Sequence, residues 1–121
     1  EIFKFALTFL TSDIEEKLKA LDKVLEGEMI PVSSGHGDID LIIPGVHKAN
    51  GLAKLGKEWG IEPAEIAAFG DSGNDIEMLK YAGFSYAMEN AQEKVKEAAE
   101  EIIRSNNQEG VLEVIEQLLN K

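Results

Sequence analysis

The chain has 121 residues, of which 44% are hydrophobic and 29% charged, so its composition is that of one ordinary globular domain. It contains no cysteine, which excludes disulfides, zinc-thiolate sites and thiol nucleophiles and suits a reducing, cytoplasmic location. The formal net charge of −11 repels nucleic acid and anionic lipid, so neither nucleic acid nor a membrane is expected as a partner. Because the chain starts at Glu1, inside a strand-like segment, we expect it to be a piece of something longer.

The first third of the chain predicts one helix among three strands. Aromatic and β-branched residues predict a strand over 2–9, and short apolar runs predict strands over 29–32 and 39–43. Helical spacing predicts a helix over 14–27, and small residues predict a turn over 33–37. Ser12 and Glu15 have capping-box spacing, which marks the start of the helix. Gly27 marks its end. His36, alone in the glycine-rich turn, is expected at the surface.

Helical and strand patterns alternate after Pro44-Gly45, the best boundary in the chain. The expected elements are helices over 48–59, 74–81, 95–99 and 112–119, and strands over 66–69, 84–88 and 101–104. Such alternation predicts an α/β fold with a parallel sheet covered on both faces. Leu52, Leu55 and Trp59 recur at helical spacing and are expected in the core.

The most informative stretch is Gly70-Asp71-Ser72-Gly73-Asn74-Asp75, directly after the apolar strand at 66–69. Ligand sites of open α/β sheets lie beyond the carboxyl ends of the strands, which is where this order puts Asp71. Asp75 can turn back toward Asp71, and two close carboxylates need a cation between them. A few hard oxygen ligands suit Mg²⁺, whereas the alternating acidic pattern of a calcium loop is absent. Taken alone, the loop is equally consistent with an aspartate that caps the next helix.

Lys48 is the second candidate, in the first turn of the helix at 48–59. The helix dipole disfavours a cation there, so an isolated lysine would most often be a surface residue. If its ammonium reaches the strand ends, however, it can neutralise both a phosphate and a carboxylate.

Four segments in this order resemble motifs of the haloacid dehalogenase-like phosphatases, most closely their Cof-like branch with a large inserted cap. The segments are Gly45-Val46-His47-Lys48; Gly70-Asp71-Ser72-Gly73-Asn74-Asp75; Met88-Glu89-Asn90-Ala91 with Val95-Lys96; and Ser105-Asn106-Asn107 with Glu109-Gly110-Val111. The resemblance implies part of a Rossmann-like core over 44–121, preceded over 1–43 by the last part of an α+β cap. His47 and Glu89 depart from the residues usual in that branch.

The resemblance also implies a Mg²⁺-dependent phosphatase acting on small phosphorylated metabolites, with sugar phosphates as one class. In that family an aspartate attacks phosphorus, and water then hydrolyses the aspartyl-phosphate. Carried over, Asp71 is a catalytic metal ligand, and Asp75 assists the metal through its waters. Lys48 grips the phosphate and the attacking carboxylate, and Asn74 binds the phosphate or its nucleophile.

The family's first motif, Asp-x-Asp-Gly after an apolar strand, is absent; Asp38-Ile39-Asp40 has the spacing but precedes a strand. No second motif, a Ser or Thr closing an apolar strand, is found either, so this chain alone is expected to be inactive. It is expected to pair with its missing half or with a copy of itself along the strand at 66–69. Two alternatives stay open: a sugar phosphomutase of the same superfamily, and a non-catalytic α/β module with a divalent-ion-binding loop.

Overall fold

A computed structural model describes residues 4–10 and 13–121, which form two three-stranded sheets with helices packed on them. In chain order the elements are β1 (Lys4–Thr8), α1 (Ile14–Leu25), β2 (Ile30–Gly35), β3 (Asp38–Ile42), α2 (Lys48–Trp59), β4 (Ala67–Gly70), α3 (Ile76–Tyr81), β5 (Phe84–Met88), α4 (Glu93–Ala98), β6 (Glu101–Ile103) and α5 (Gly110–Leu119). Short 3₁₀ turns lie at Pro63–Glu65, Gly73–Asp75 and Asn106–Gln108. Within the described ranges, no helix is long and apolar enough to cross a membrane.

The first sheet is antiparallel, with β3 between β1 and β2. Alternate residues of β3, Ile39 and Leu41, are buried, as expected for a sheet with one covered face. The expected order of strand, helix and two strands is found, but the turn is shorter than predicted. Strand β2 continues to Gly35 through an irregularity after Ser33, because backbone pairing with β3 overrides the turn tendency of these small residues. The capping pattern at Ser12 falls outside the described residues.

The second sheet is parallel, in the order β4-β5-β6, so the predicted α/β fold class is confirmed. Helices α3 and α4 pack on it through apolar side chains, and the buried cluster includes Ala68, Leu79, Ala87, Met88 and Val95. Among the described strands β4 is at the edge, with one side unpaired. The expected domain boundary at 43/44 falls between β3 and α2.

Trp59 is the clearest wrong prediction, since its exposed fraction is 66% and that of Leu55 is 43%. Helix α2 instead buries the small residues Ala49 and Gly56. Beyond Gly60 the chain folds back tightly, and the Ile61 amide donates to the Gly56 carbonyl at 2.8 Å. A Cβ at position 56 would lie only 2.7 Å from the Ile61 carbonyl oxygen, so this helix packs closely through its small residues. Leu52 is half-buried, whereas Leu55 and Trp59 stay exposed.

Tyr86, at the centre of β5, makes the stability of the fold sensitive to alkaline pH. It is 6% exposed and stacks on Phe69 with ring centroids 5.1 Å apart. Burial, followed by the charges of Glu101 and Glu100, raises the pKa of Tyr86 above its ordinary value of 10.0. The folded state therefore holds this proton more tightly than the unfolded state, and the stabilisation is lost as the pH rises from 10.0 through the folded pKa.

Raising the pH from neutral to above 10.0 should lower the free energy of unfolding of the wild type. We expect a smaller decrease in Tyr86→Phe, which has no phenol to ionise at this position. Urea unfolding at both pH values measures this difference. Tyr81→Phe, which changes the other tyrosine of the chain, is the matched control. An equal alkaline loss in wild type and Tyr86→Phe would contradict the assignment.

Candidate active site

The loop that follows β4 is organised by the carboxylate of Asp75. The chain leaves the sheet at Gly70, turns through a 3₁₀ segment and enters α3. The Asp75 side chain folds back over this turn, and its Oδ2 accepts the backbone N–H of Asp71 at 3.0 Å and of Ser72 at 3.2 Å. Gly70 is needed because a Cβ there would lie 2.6 Å from the Asp75 Cβ.

Lys48 reaches this loop from the start of α2, and its Nζ donates to the other oxygen of Asp75, Oδ1. The Asp75 side chain is 6% exposed and that of Lys48 51% exposed, so a nearly buried carboxylate is paired with a half-solvated ammonium. This partner offsets the unfavourable placement of a cation at a helix start. His47 caps the same helix, with Nδ1 accepting the Asn50 N–H at 3.2 Å, which gives this departure from the family pattern a structural role.

Asp71 differs from Asp75 because its side chain is exposed. Its Oδ1 accepts the Ser72 hydroxyl at 3.1 Å. The N-cap position of the following 3₁₀ turn belongs to Ser72, so the loop does not use Asp71 as a helix cap. The Asp71 carboxylate is therefore placed to meet a ligand from solvent, whereas both oxygens of Asp75 are engaged by protein donors.

A cavity of about 330 Å³ opens at the carboxyl ends of β4 and β5, and we call it the strand-end cavity. Its charged lining is Lys48, Asp71 and Asp75. Gly70 at the end of β4, Met88 at the end of β5 and Asn106 shortly after β6 also line it. In the sequence Asn106 belongs to one of the segments that resemble the family, but no role at the site was predicted for it. Its position just beyond β6, another parallel strand, was the signal that could have marked it.

A second cavity of about 370 Å³, the intersheet cavity, lies between the antiparallel sheet and the Asp71–Asp75 loop. Val32, Ile42 and Val46 supply its apolar wall. Its polar lining comes from both sides of the gap: Lys4, Asp40, His47, Lys48, Asn74 and Glu77. Lys48 lines both cavities, whereas Asn74 lines the intersheet cavity and not the strand-end cavity.

The antiparallel sheet approaches the loop closely. A Cβ added to Gly35 would lie 3.3 Å from the Ser72 Oγ, and one added to Gly73 would lie 3.4 Å from the Ser33 side chain. The end of β2 thus covers the turn that carries the aspartates.

The charges of the strand-end cavity are unbalanced in favour of a cation. One ammonium, Lys48, faces two carboxylates, Asp71 and Asp75, which leaves one net negative charge. The described part of the chain has no cluster of three or more His, Cys, Asp or Glu residues that could enclose a metal ion. Two carboxylates suit Mg²⁺, which keeps several waters and completes its coordination with substrate oxygens.

Comparison with known proteins gives concordant matches over nearly the whole chain. A model of the haloacid dehalogenase-like hydrolase family matches residues 1–115. A 5-amino-6-(5-phospho-D-ribitylamino)uracil phosphatase of Escherichia coli (strain K12) is 55% identical over 117 residues, covering 97% of this chain and 43% of the relative.

Two solved structures share the fold. The protein SMU.1108c from Streptococcus mutans UA159 superposes with a TM-score of 0.91 at 41% identity, covering 98% of this chain and 45% of the other. The sugar phosphatase BT4131, described as subclass IIB, gives a TM-score of 0.82 at 26% identity, covering 98% of this chain and 44% of the other. The chain thus spans less than half the length of these proteins.

Proposed function

This chain belongs to the haloacid dehalogenase-like hydrolase family, as the resemblance of its motifs to the Cof-like branch predicted, and we propose that it is the C-terminal, metal-holding part of a Mg²⁺-dependent phosphatase. The observation that carries the proposal is the meeting of Lys48, Asp71 and Asp75 beyond the carboxyl end of β4. In this proposal residues 1–43 are the end of a cap domain and residues 44–121 are part of the core domain.

Electrostatics supports the choice of metal. A phosphate monoester is an anion, and it would meet one net negative charge from Lys48, Asp71 and Asp75. A divalent cation reverses that balance, and Asp71 is the exposed carboxylate that can bind it directly. Asp75, with both oxygens held by protein donors, would act through the metal's waters and by fixing the loop. When bound, Mg²⁺ would supply charge stabilisation to the transferred phosphoryl group.

Lys48 contributes positioning and charge. Its half-exposed ammonium touches Asp75 and still faces solvent, so it can also contact a phosphate oxygen and an attacking carboxylate. Asn74 would donate its side-chain amide to the phosphate or to that carboxylate. Both residues line the intersheet cavity, which would receive the rest of the substrate.

The attacking carboxylate would come from a strand outside this chain. Its oxygen attacks phosphorus, the alcohol leaves with a proton from a general acid, and water then attacks phosphorus to release phosphate and restore the carboxylate. The unpaired side of β4 offers backbone groups to such a strand, next to Lys48 and Asp71. We propose that the missing half of the protein occupies this edge, and that a second copy would do so in its absence.

The substrate we propose is a small phosphorylated metabolite. Similarity to the Escherichia coli relative favours a ribitylaminouracil phosphate or a close analogue. We also propose a cytoplasmic location, which the lack of cysteine favours.

The first experiment is to read the codons upstream of Glu1 and to assay the complete product of the gene. We expect an apolar strand ending in Asp-x-Asp-Gly, and hydrolysis of phosphate monoesters that EDTA abolishes and Mg²⁺ restores. An initiator methionine or an unrelated domain directly upstream would overturn the phosphatase and leave the ion-binding module. Release of a rearranged sugar phosphate instead of inorganic phosphate would identify a mutase.

A further inference from the structure

The charges around the intersheet cavity suggest which substrates it admits. We propose that this cavity selects phosphate monoesters with an uncharged leaving group, and that Glu77 and Asp40 exclude leaving groups that carry a second anion. The inference rests on the proposed phosphatase function, and it adds the chemical class of the substrate and the residues that choose it.

The two cavities meet at Lys48, which lines both of them. A phosphoryl group beside Lys48 and Asp71 would therefore place its leaving group in the intersheet cavity. The volume of about 370 Å³ lies within the range of small-molecule sites, roughly 300–1,000 Å³. A leaving group larger than a few atoms has room there, and its chemistry must suit the walls.

Each lysine of the intersheet cavity already has an anionic partner. Lys4 Nζ lies 3.3 Å from Asp40 Oδ2, and the Asp40 side chain is only 16% exposed. Lys48 is paired with Asp75. Glu77 also lines the cavity, and within the described ranges it takes part in no ion pair.

A second anion on the substrate would therefore meet the Glu77 carboxylate, whereas the two lysines of the cavity, Lys4 and Lys48, are each already paired with an aspartate. The half-buried apolar side chains of Val32 and Ile42 line the same cavity and displace part of the water that would screen that repulsion. A hydroxyl or N–H group, in contrast, can donate to the Glu77 carboxylate or to the Asp40 carboxylate without charge repulsion. The walls thus favour a neutral leaving group that carries hydrogen-bond donors.

The test uses a matched pair of substrates with the complete gene product and Mg²⁺. Ribitol 5-phosphate and 5-phosphoribonate differ only at C1, which is a hydroxymethyl group in the first and a carboxylate in the second. We expect kcat/KM to favour ribitol 5-phosphate by about tenfold or more, as one close like-charge contact predicts. Glu77→Gln should reduce this ratio by about fivefold because it removes the repulsive charge. Asp40→Asn should reduce it similarly because it frees the charge of Lys4 for the substrate carboxylate.

Glu116→Gln, an exposed carboxylate on α5 that does not line the cavity, is the matched control and should leave the ratio unchanged. A wild-type preference for 5-phosphoribonate, or a ratio that neither cavity variant moves, would overturn this inference while the phosphatase function stands. No hydrolysis of any phosphate monoester would overturn the proposed function and this inference with it.

Discussion

Asp75→Asn is expected to lower the free energy of unfolding by about 3 kcal/mol, because it breaks a charged network at a buried position. The carboxylate is 6% exposed on its side chain and holds Lys48 and the N–H groups of Asp71 and Ser72 at once. An asparagine keeps one oxygen for the backbone donors but turns an NH₂ group toward the Lys48 ammonium. The same change should lower phosphatase kcat/KM by about 100-fold or more, since it displaces both the lysine and the loop.

Lys48→Met should cost less stability, about 1 kcal/mol, although it breaks the same ion pair. The lysine side chain is 51% exposed, so its ammonium is partly hydrated with or without the contact, and Asp75 keeps its two backbone donors. The loss of activity should still be about 100-fold, because a charge that stabilises the phosphoryl group is gone.

Urea unfolding and phosphatase assays on the complete gene product measure both variants. Glu113→Gln is the control, because it breaks an ion pair with Arg104 whose side chains are 58% and 44% exposed, and it should change stability by about 0.5 kcal/mol or less. Equal destabilisation by Asp75→Asn and Lys48→Met would contradict the assigned difference in burial. Full activity of Lys48→Met would contradict its role at the phosphate.

Local sequence signals were sufficient wherever the structure depends on neighbours along the chain. The helix at 48–59 has the predicted bounds because Gly60 adopts a positive φ of 70° directly after it. The Asp71 loop lies at the end of β4 because the apolar strand residues favour the core and the polar residues that follow Gly70 favour solvent. The contact between Lys48 and Asp75 spans 27 residues, and it was not predicted, because no local pattern states which carboxylate a distant lysine meets.

The predictions that failed or were not made concern contacts between distant elements. Trp59 has the spacing of a core residue, yet the described chain provides nothing to cover that face of α2, which packs through Ala49 and Gly56. Glu77 lies on an ordinary helix turn, and only the approach of the antiparallel sheet makes it part of a cavity wall. The spacing of apolar residues predicts which face of a helix is apolar, but it does not predict which other element packs against that face.

Gly70→Ala is expected to combine a loss of stability as large as that of Asp75→Asn with loss of the site, because the added methyl group enters the space of Asp75. The new Cβ would lie 2.6 Å from the Asp75 Cβ and 3.1 Å from its Oδ2. Both residues are buried, so neither can move without disturbing β4 or the 3₁₀ turn. We expect a loss of about 3 kcal/mol, from overpacking together with weakened hydrogen bonds to Asp75.

Gly51→Ala provides the matched control, since it makes the same chemical change on α2 at a position with no neighbouring atom within 4 Å. It should increase stability by about 0.5–1 kcal/mol, because alanine favours the helix and restricts the unfolded chain. Urea unfolding of the two variants separates a steric effect at Gly70 from a general effect of removing glycine. If Gly70→Ala is as stable as wild type but has lost Mg²⁺-dependent activity, the turn has adapted and Asp75 has been displaced. If it keeps both stability and activity, Asp75 does not need the close approach at Gly70, and the argument that this glycine positions the carboxylate fails.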